Sequence, residues 1–247
     1  MKTIKKVLIT SEGKKFFVKD TNKDFHTQFG FIKKRDLTKD GKKLKTNTNK
    51  EMFIISPRFI DYYKKIKRSA QIIPLKDIGS IITETGINSK SKIVEAGSGS
   101  GALACFLTHI AKEVTTYEIR DDFYKIVQEN LRFLGLKNVK IKKKSIYEGI
   151  DEKNIDVIIL DLPEPWKAIN SVNKALNIGS FLVNYSPTIP QVMDFVDKIK
   201  ENGCFVYLKT IEIIEREWDI EARKVRPKSQ SIGHSGFLTF VRKVLKE

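Results

Sequence analysis

Cysteine and histidine are scarce in this chain of 247 residues: Cys105 and Cys204 are the only cysteines, and His26, His109 and His234 the only histidines. One cysteine sits in a helical pattern and the other in an apolar strand pattern. Both read as buried thiols of a reducing compartment rather than parts of a disulfide framework. The histidines lie near no cysteine and show no zinc spacing, so no metal site is expected. No run approaches the roughly 18 apolar residues of a membrane span. Met1-Lys2-Thr3-Ile4-Lys5-Lys6 lacks the apolar core and small-residue cleavage site of a secretory signal. The expectation is a cytoplasmic protein without a membrane segment. Acids are also in short supply, 30 against 46 Lys and Arg, for a net charge of +16. Such an excess concentrates polyanions and speeds encounter with them, so nucleic acid is the expected partner.

Hydrophobic residues make up 40% of the chain, enough for a sizeable core, and the length suits a catalytic domain with a small appendage. Residues 1–56 read as a small β-rich N-terminal domain. Lys5–Ile9 and Lys14–Lys19 look like strands around the turn Ser11-Glu12-Gly13, and Asp40-Gly41 marks another turn. Thr38–Lys50 is polar and basic without an apolar period, and reads as a loop. Residues 57–91 read as linking helices. Phe59, Ile60, Tyr63, Ile66, Ala70 and Ile73 predict a helix over Arg58–Ile73 ended by Pro74. A second helix covers Asp77–Thr85 and closes at Gly86.

Residues 92–247 alternate regularly and read as the catalytic domain. Strands are expected at 92–96, 114–118, 139–143, 155–161, 179–185 and 203–211, and helices at 102–111, 121–134, 166–176 and 190–200. This alternation means right-handed βαβ units on a parallel sheet. Ile155–Leu162 is nearly all apolar, as a strand covered on both faces must be. After residue 211 the charged segment Glu212–Lys228 and a polar loop lead to a last strand, Gly236–Val244. Two closing strands with no helix between them predict an antiparallel pair at the sheet edge. The fold class is α/β, a Rossmann-like doubly wound sheet with a terminal antiparallel strand.

The first strand of this alternation runs into Gly97-Ser98-Gly99-Ser100-Gly101, and the second ends on Glu118. Glycines let a βα turn bring its backbone against a ligand, and an acid about 20 residues on can hold ribose hydroxyls. The spacing G-x-G-x-G, with Glu95 just before it, departs from the dinucleotide fingerprint. It resembles the S-adenosylmethionine (SAM) site of class I methyltransferases. In such a site the methionine end lies on backbone amides, and the helix from Ala102 points its positive end at the carboxylate. Glu95 would accept from the ammonium or brace the turn, and Glu118 would accept two ribose hydroxyls. The competing readings are a bare glycine turn and a helix N-terminal charge.

Asp161-Leu162-Pro163-Glu164-Pro165-Trp166 follows the fourth strand. Ligands of open α/β sheets sit beyond the carboxyl ends of strands, so Asp161 is expected to face the transferable methyl group. The prolines stiffen this loop, and Trp166 reads as core. The loop is similar to the D-P-P-[YFW] loop of amino-group methyltransferases. Arg226-Pro227-Lys228 and Gly233-His234-Ser235-Gly236 flank the last hairpin, where basic side chains suit phosphates. His26 lies in Phe25-His26-Thr27-Gln28-Phe29-Gly30, on its own a polar turn.

Together with Arg68-Ser69-Ala70-Gln71-Ile72-Ile73-Pro74-Leu75-Lys76-Asp77 and Tyr147-Glu148-Gly149, these segments resemble the TrmI-type tRNA (adenine-N1)-methyltransferases from about His26 to Lys243. The resemblance implies methyl transfer from SAM to adenine N1 in the tRNA T loop. The product is 1-methyladenosine at position 58 and, in archaeal members, also at 57. Homotetramers are the family's habit in bacteria and archaea. The resemblance further implies a cofactor pocket of Gln71, Glu95, Gly97, Ser98, Gly99, Ser100, Gly101, Leu103, Glu118 and Asp161. Asp161 is also the expected catalytic group, and His26, Arg226 and His234 the expected substrate contacts. In one departure, Ser145 stands where the family usually has an acid that contacts the cofactor's adenine amine. Two other functions compete: a class I methyltransferase acting on an exocyclic amine of another RNA, and a non-catalytic tRNA-binding subunit. The intact Gly97–Gly101 turn and Asp161 favour a catalytic chain.

Overall fold

Short apolar runs bounded by turns give the first part of the chain its β structure. The computed structural model describes residues 3–69 and 71–246, which form two compact units, Met1–Ile66 with Arg132–Gly135, and Lys67–Leu131 with Leu136–Glu247. In the first unit, β1 (Lys6–Thr10), β2 (Lys15–Val18), β3 (Phe25–Thr27), β4 (Gly30–Ile32), β5 (Lys42–Lys45) and β6 (Glu51–Ile55) precede the short helix α1 (Phe59–Tyr63). Four of the strands form an antiparallel sheet in the order β2-β1-β6-β5, and β3 and β4 form a separate hairpin. Leu8, Val18, Ile32, Leu37, Leu44, Met52 and Ile54 make its core.

The structure departs from the sequence pattern at β5 and after Tyr63. The stretch Thr38–Lys50 contains β5, in which Leu44 alone turns inward while Lys42, Lys43 and Lys45 stay exposed. One apolar residue in four leaves no period to detect. The helix expected over Arg58–Ile73 stops at Tyr63, and Ala70 lies outside the described residues. Beyond Tyr63 the backbone finds other partners. The Asn130 side chain bonds both the N–H and the C=O of Lys67, and Ser69 N donates to Ser100 Oγ. Pro74 adds to this by disfavouring helical angles at Ile73.

The second unit holds a seven-stranded sheet. Its elements are α2 (Leu75–Thr85), β7 (Lys92–Ala96), α3 (Ala102–Thr108), β8 (Glu113–Tyr117), α4 (Asp121–Leu134), β9 (Val139–Lys142), β10 (Ile155–Leu160), α5 (Ile169–Ala175), β11 (Leu176–Ser186), α6 (Ile189–Asn202), β12 (Phe205–Glu212), β13 (Trp218–Glu221), β14 (Lys224–Pro227) and β15 (Phe237–Lys243). The strand order is β12-β15-β11-β10-β7-β8-β9. β15 runs antiparallel to both its neighbours, and the other ladders are parallel. Successive residues of β7 and β10 face opposite sides. Val94, Ile158 and Leu160 join Ile169, Val172, Phe195 and Ile199 on one face. Ile93, Val157 and Ile159 join Ile78, Ile81, Leu103 and Leu107 on the other. Trp166 packs half-buried on the first cluster. Within the charged segment after residue 211 the structure has a hairpin, β13–β14. Its apolar side chains, Trp218, Ile220 and Val225, are exposed, so no buried face announces it.

The chain leaves β7 for β8 and β9 on one side, then crosses back to β10 on the other. The switch point therefore lies between β7 and β10, where open α/β sheets take their ligands. No helix among the described residues is long and apolar enough to cross a membrane.

Candidate active site

β7 and β10 end level with each other. Ala96 is in register with Leu160, and Asp161 N donates to Ala96 O at 2.9 Å. The chain then turns at Gly97, with φ of +88°. A Cβ on Gly97 would fall inside the contact distance of the Asp161 carbonyl oxygen and 2.8 Å from its carbon. Only glycine fits between two strand ends this close. The turn is tied to β8 as well: Gly99 N donates to Glu118 Oε2, and Arg120 N to Glu118 Oε1, both at 2.9 Å. Glu118 keeps lone pairs on both oxygens, since a carboxylate accepts about four hydrogen bonds.

The two serines of the turn point inward. Ser98 Oγ donates to Tyr117 O at 3.0 Å and lies against Thr116 Oγ1, which donates to Glu95 Oε1 at 2.6 Å. Ser100 Oγ accepts from Ser69 N at 2.9 Å.

Two cavities adjoin at Gly97. The polar one is walled by Gln71, Ile72 and Ile73 on one side and by Glu95, the glycine turn, Leu103 and Asp161 on the other. The second is a mostly apolar slot between Ile119, Ile146, Tyr147, Leu162 and Pro163, with Glu118 and Ser145 at its rim. Burial pushes the Glu95 carboxyl up to about 8, against the Thr116 hydrogen bond, with Asp161 and Glu118 adding repulsion. Asp161 borders the polar cavity but lies deep enough for burial to raise its carboxyl to about 7. Two carboxyls held this high in one cavity favour a cationic ligand, whose charge restores their ionised forms. SAM fits this donor set. Its sulfonium and ammonium match the carboxyls, its adenine matches the apolar slot, and its ribose matches Glu118. The Gly97 cradle lets backbone approach where a side chain would intrude.

Residues 50–230 match the family described as "tRNA methyltransferase complex GCD14 subunit". The chain belongs to this family. A relative from Methanocaldococcus jannaschii, "tRNA (adenine(57)-N(1)/adenine(58)-N(1))-methyltransferase TrmI", is 36% identical to it over 96% of this chain and 94% of the relative. Among solved structures, a SAM-dependent O-methyltransferase from Thermotoga maritima superposes with a TM-score of 0.88 at 29% identity, covering 100% of this chain and 95% of that one. The tRNA (m1A58) methyltransferase TrmI from Aquifex aeolicus gives 0.84 at 27% identity, covering 100% and 99%. The seven-stranded sheet of this family member is that of class I SAM-dependent methyltransferases.

In this methyltransferase, Gln71, Glu95, Gly97, Ser98, Gly99, Ser100, Leu103 and Asp161 all border the polar cavity, and Glu118 and Ser145 border the slot. Ser145 Oγ accepts from Tyr147 N at 3.2 Å, which leaves its own hydrogen to donate. Gly101, Arg226 and His234 border neither cavity. Gly101 starts α3, and a Cβ there would meet Val127 at 3.0 Å, so its smallness serves helix packing. Arg226 is exposed on β14 opposite Asp219. His26, on β3 of the first unit, packs against Phe31 with ring centroids 5.6 Å apart and the rings tilted by 39°.

Both ring nitrogens of His234 are engaged: Nδ1 with Glu212 Oε1 at 2.5 Å and Nε2 with Pro187 O at 2.8 Å. Both partners are acceptors, which favours the protonated ring, and Glu212 raises its pKa. Asn130 and Thr116 escaped the sequence reading. A polar residue between Val127 and Leu131 on the apolar stripe of α4 was the available signal for Asn130. Among the described residues no group of three or more His, Cys, Asp or Glu is placed to hold a metal.

Proposed function

We propose that this chain methylates N1 of adenine in the tRNA T loop, at position 58, the position named for both relatives, and at 57, which is named for the Methanocaldococcus jannaschii relative. The observation that carries this reading is Asp161, set at the switch point beside the Gly97 turn and Glu95. SAM, when bound, supplies an electrophilic methyl group on a sulfonium. Glu95 and the backbone of Gly97–Gly99 would hold its amino-acid end, Glu118 its ribose and Ser145 its adenine amine. The N1 lone pair of adenine lies in the ring plane and needs no prior deprotonation, so the site requires no strong base. Positive charge develops on the purine as N1 is alkylated. Asp161, accepting from the adenine N6 amine, stabilises that charge in a low-dielectric cavity.

The N1 edge is not free in a folded T loop, so the base must be flipped out, at a few kcal/mol. Lysines and arginines of the first 50 residues and of Arg223–Lys228 are the proposed grip on the RNA backbone. Exposed apolar side chains on the edge strand β12 (Val206, Tyr207, Leu208) and on the hairpin (Trp218, Ile220, Val225) support a further reading as a homo-oligomer, a tetramer by family habit. The buried free thiols Cys105 and Cys204 support a reducing, cytoplasmic setting.

The test is transfer of labelled methyl to an unmodified tRNA transcript, with the product mapped by primer extension. A methyl on N1 blocks the pairing edge and stops reverse transcription at the target. A methyl on an exocyclic amine or a hydroxyl leaves that edge able to pair and would refute the N1 reading. Asp161→Asn should lower turnover at saturating donor by roughly 10²–10³-fold. Normal turnover in that variant would remove Asp161 from the chemistry.

A further inference from the structure

Asn130 is wholly buried on α4, on the stripe that carries Val127 and Leu131. A polar side chain there needs partners, because an unpaired buried amide is costly. Asn130 has them. Its Oδ1 accepts from Lys67 N at 2.8 Å, and its Nδ2 donates to Lys67 O at 2.9 Å and to Ser100 O at 2.8 Å. The two bonds to Lys67 copy one rung of a strand ladder, with the amide standing in for a neighbouring backbone. The third bond reaches the glycine turn. Two residues on, Ser69 N donates to Ser100 Oγ. Residues 67 and 69 are thus stitched to the turn at Ser100. Gln71, Ile72 and Ile73, which come next, wall the polar cavity opposite Glu95 and Leu103. Residues 67–69 and 71–73 carry a helical period in sequence but form no helix.

We infer that Asn130 is a positioning residue for the methyl donor. It fixes Lys67 and, together with Ser100, Ser69, and so sets Gln71, Ile72 and Ile73 as the wall over the amino-acid end of SAM. The inference rests on the donor-site reading above. The cavity divides by chemistry: the chamber with Glu95 suits the charged methionine end, and the apolar slot with Glu118 suits the adenosine end. Loosening the wall therefore weakens a ligand according to how much of it occupies the first chamber.

Two ligands separate this role from a general loss of stability. S-adenosylhomocysteine occupies both parts, whereas 5′-methylthioadenosine lacks the amino-acid end. Their affinities are to be measured by calorimetry on the full chain, wild type and Asn130→Ala. Removing three buried hydrogen bonds should weaken S-adenosylhomocysteine by about tenfold or more, and methylthioadenosine by less than about threefold. The KM for SAM should rise while kcat at saturating donor stays within about threefold. Asn130→Asp keeps the shape and the bond from Lys67 N but sets an acceptor against two carbonyls. It should show the same selectivity, and it serves if the alanine variant does not fold. Equal losses for both ligands, or no loss in a folded variant, overturn the inference. Wild-type protein that binds neither ligand would instead overturn the donor-site reading itself.

Discussion

Replacing Gly97 with alanine should cost this protein more than its backbone angle alone explains. Gly97 has φ of +88°, in the region where a side chain is strained by about 1–2 kcal/mol. Its Cβ would also meet backbone, the carbonyl group of Asp161, rather than the tip of a flexible side chain. That carbonyl cannot move alone, because the amide of the same residue is bonded to Ala96 and β10 is zipped to β7 along its length. Forcing atoms into such a space adds roughly 1–3 kcal/mol, for a total of about 2–5 kcal/mol. At about 2–4 °C per kcal/mol for a chain of this size, the melting temperature should fall by roughly 4–20 °C. Donor binding should be lost as the strand ends part.

Gly86 supplies the control. It has φ of +68° at the end of α2, and a Cβ there meets nothing within 4 Å. Gly86→Ala should therefore show the angular strain alone, about 1–2 kcal/mol. Thermal melts of the two variants, with donor titrations on each, measure the difference. If Gly97→Ala matched Gly86→Ala in melting temperature and bound SAM normally, the close approach of β7 and β10 would not constrain the site as argued.

Glu95 and Asp161 make stability fall with rising pH. Their carboxyls, ordinarily near 4.5 and 3.8, stand at about 8 and about 7 in the folded state. Between those limits the folded chain holds protons that the unfolded chain has released. Wild type should lose stability relative to Glu95→Gln between pH 5 and 8, by on the order of 1–3 kcal/mol, while donor affinity climbs over the same range. Melts across pH, and calorimetry in buffers of different ionisation enthalpy, check both. The pair of His234 and Glu212 works in the opposite sense. Its contribution is complete below the ordinary histidine pKa and is lost as pH rises through the raised value. An NMR titration should find the His234 pKa above 6.5, and Glu212→Gln should lower it. Gly236→Ala would set a Cβ 2.7 Å from the Tyr185 hydroxyl, which donates to Ser235 O at 2.6 Å. The melting temperature should drop by roughly 2–12 °C, against little change for Gly233→Ala, where nothing lies within 4 Å.

The parts that were legible in the sequence share a physical cause. β10 is read at once because a parallel strand buried on both faces cannot carry many polar residues. The Gly97 turn is read because a close backbone approach admits so few residue types. Strands with little or no buried face leave no such trace: β5 buries only Leu44, and the hairpin β13–β14 buries none of its large apolar side chains. The helical period from Phe59 to Ile73 was real, but it was overridden by hydrogen bonds from Asn130 and Ser100, residues thirty or more positions away in sequence. Side-chain direction was equally hidden. The sequence puts serines at 98 and 100, and only the fold turns their hydroxyls inward to brace the turn.

The bond between Asp161 N and Ala96 O gives the molecule a fixed gauge. The Gly97 turn and the Asp161 carboxyl group hang from adjacent rungs of one ladder, so their spacing is a property of the sheet, not of any loop. Variation in the 212–236 excursion then leaves the distance between the Gly97 turn and Asp161 undisturbed.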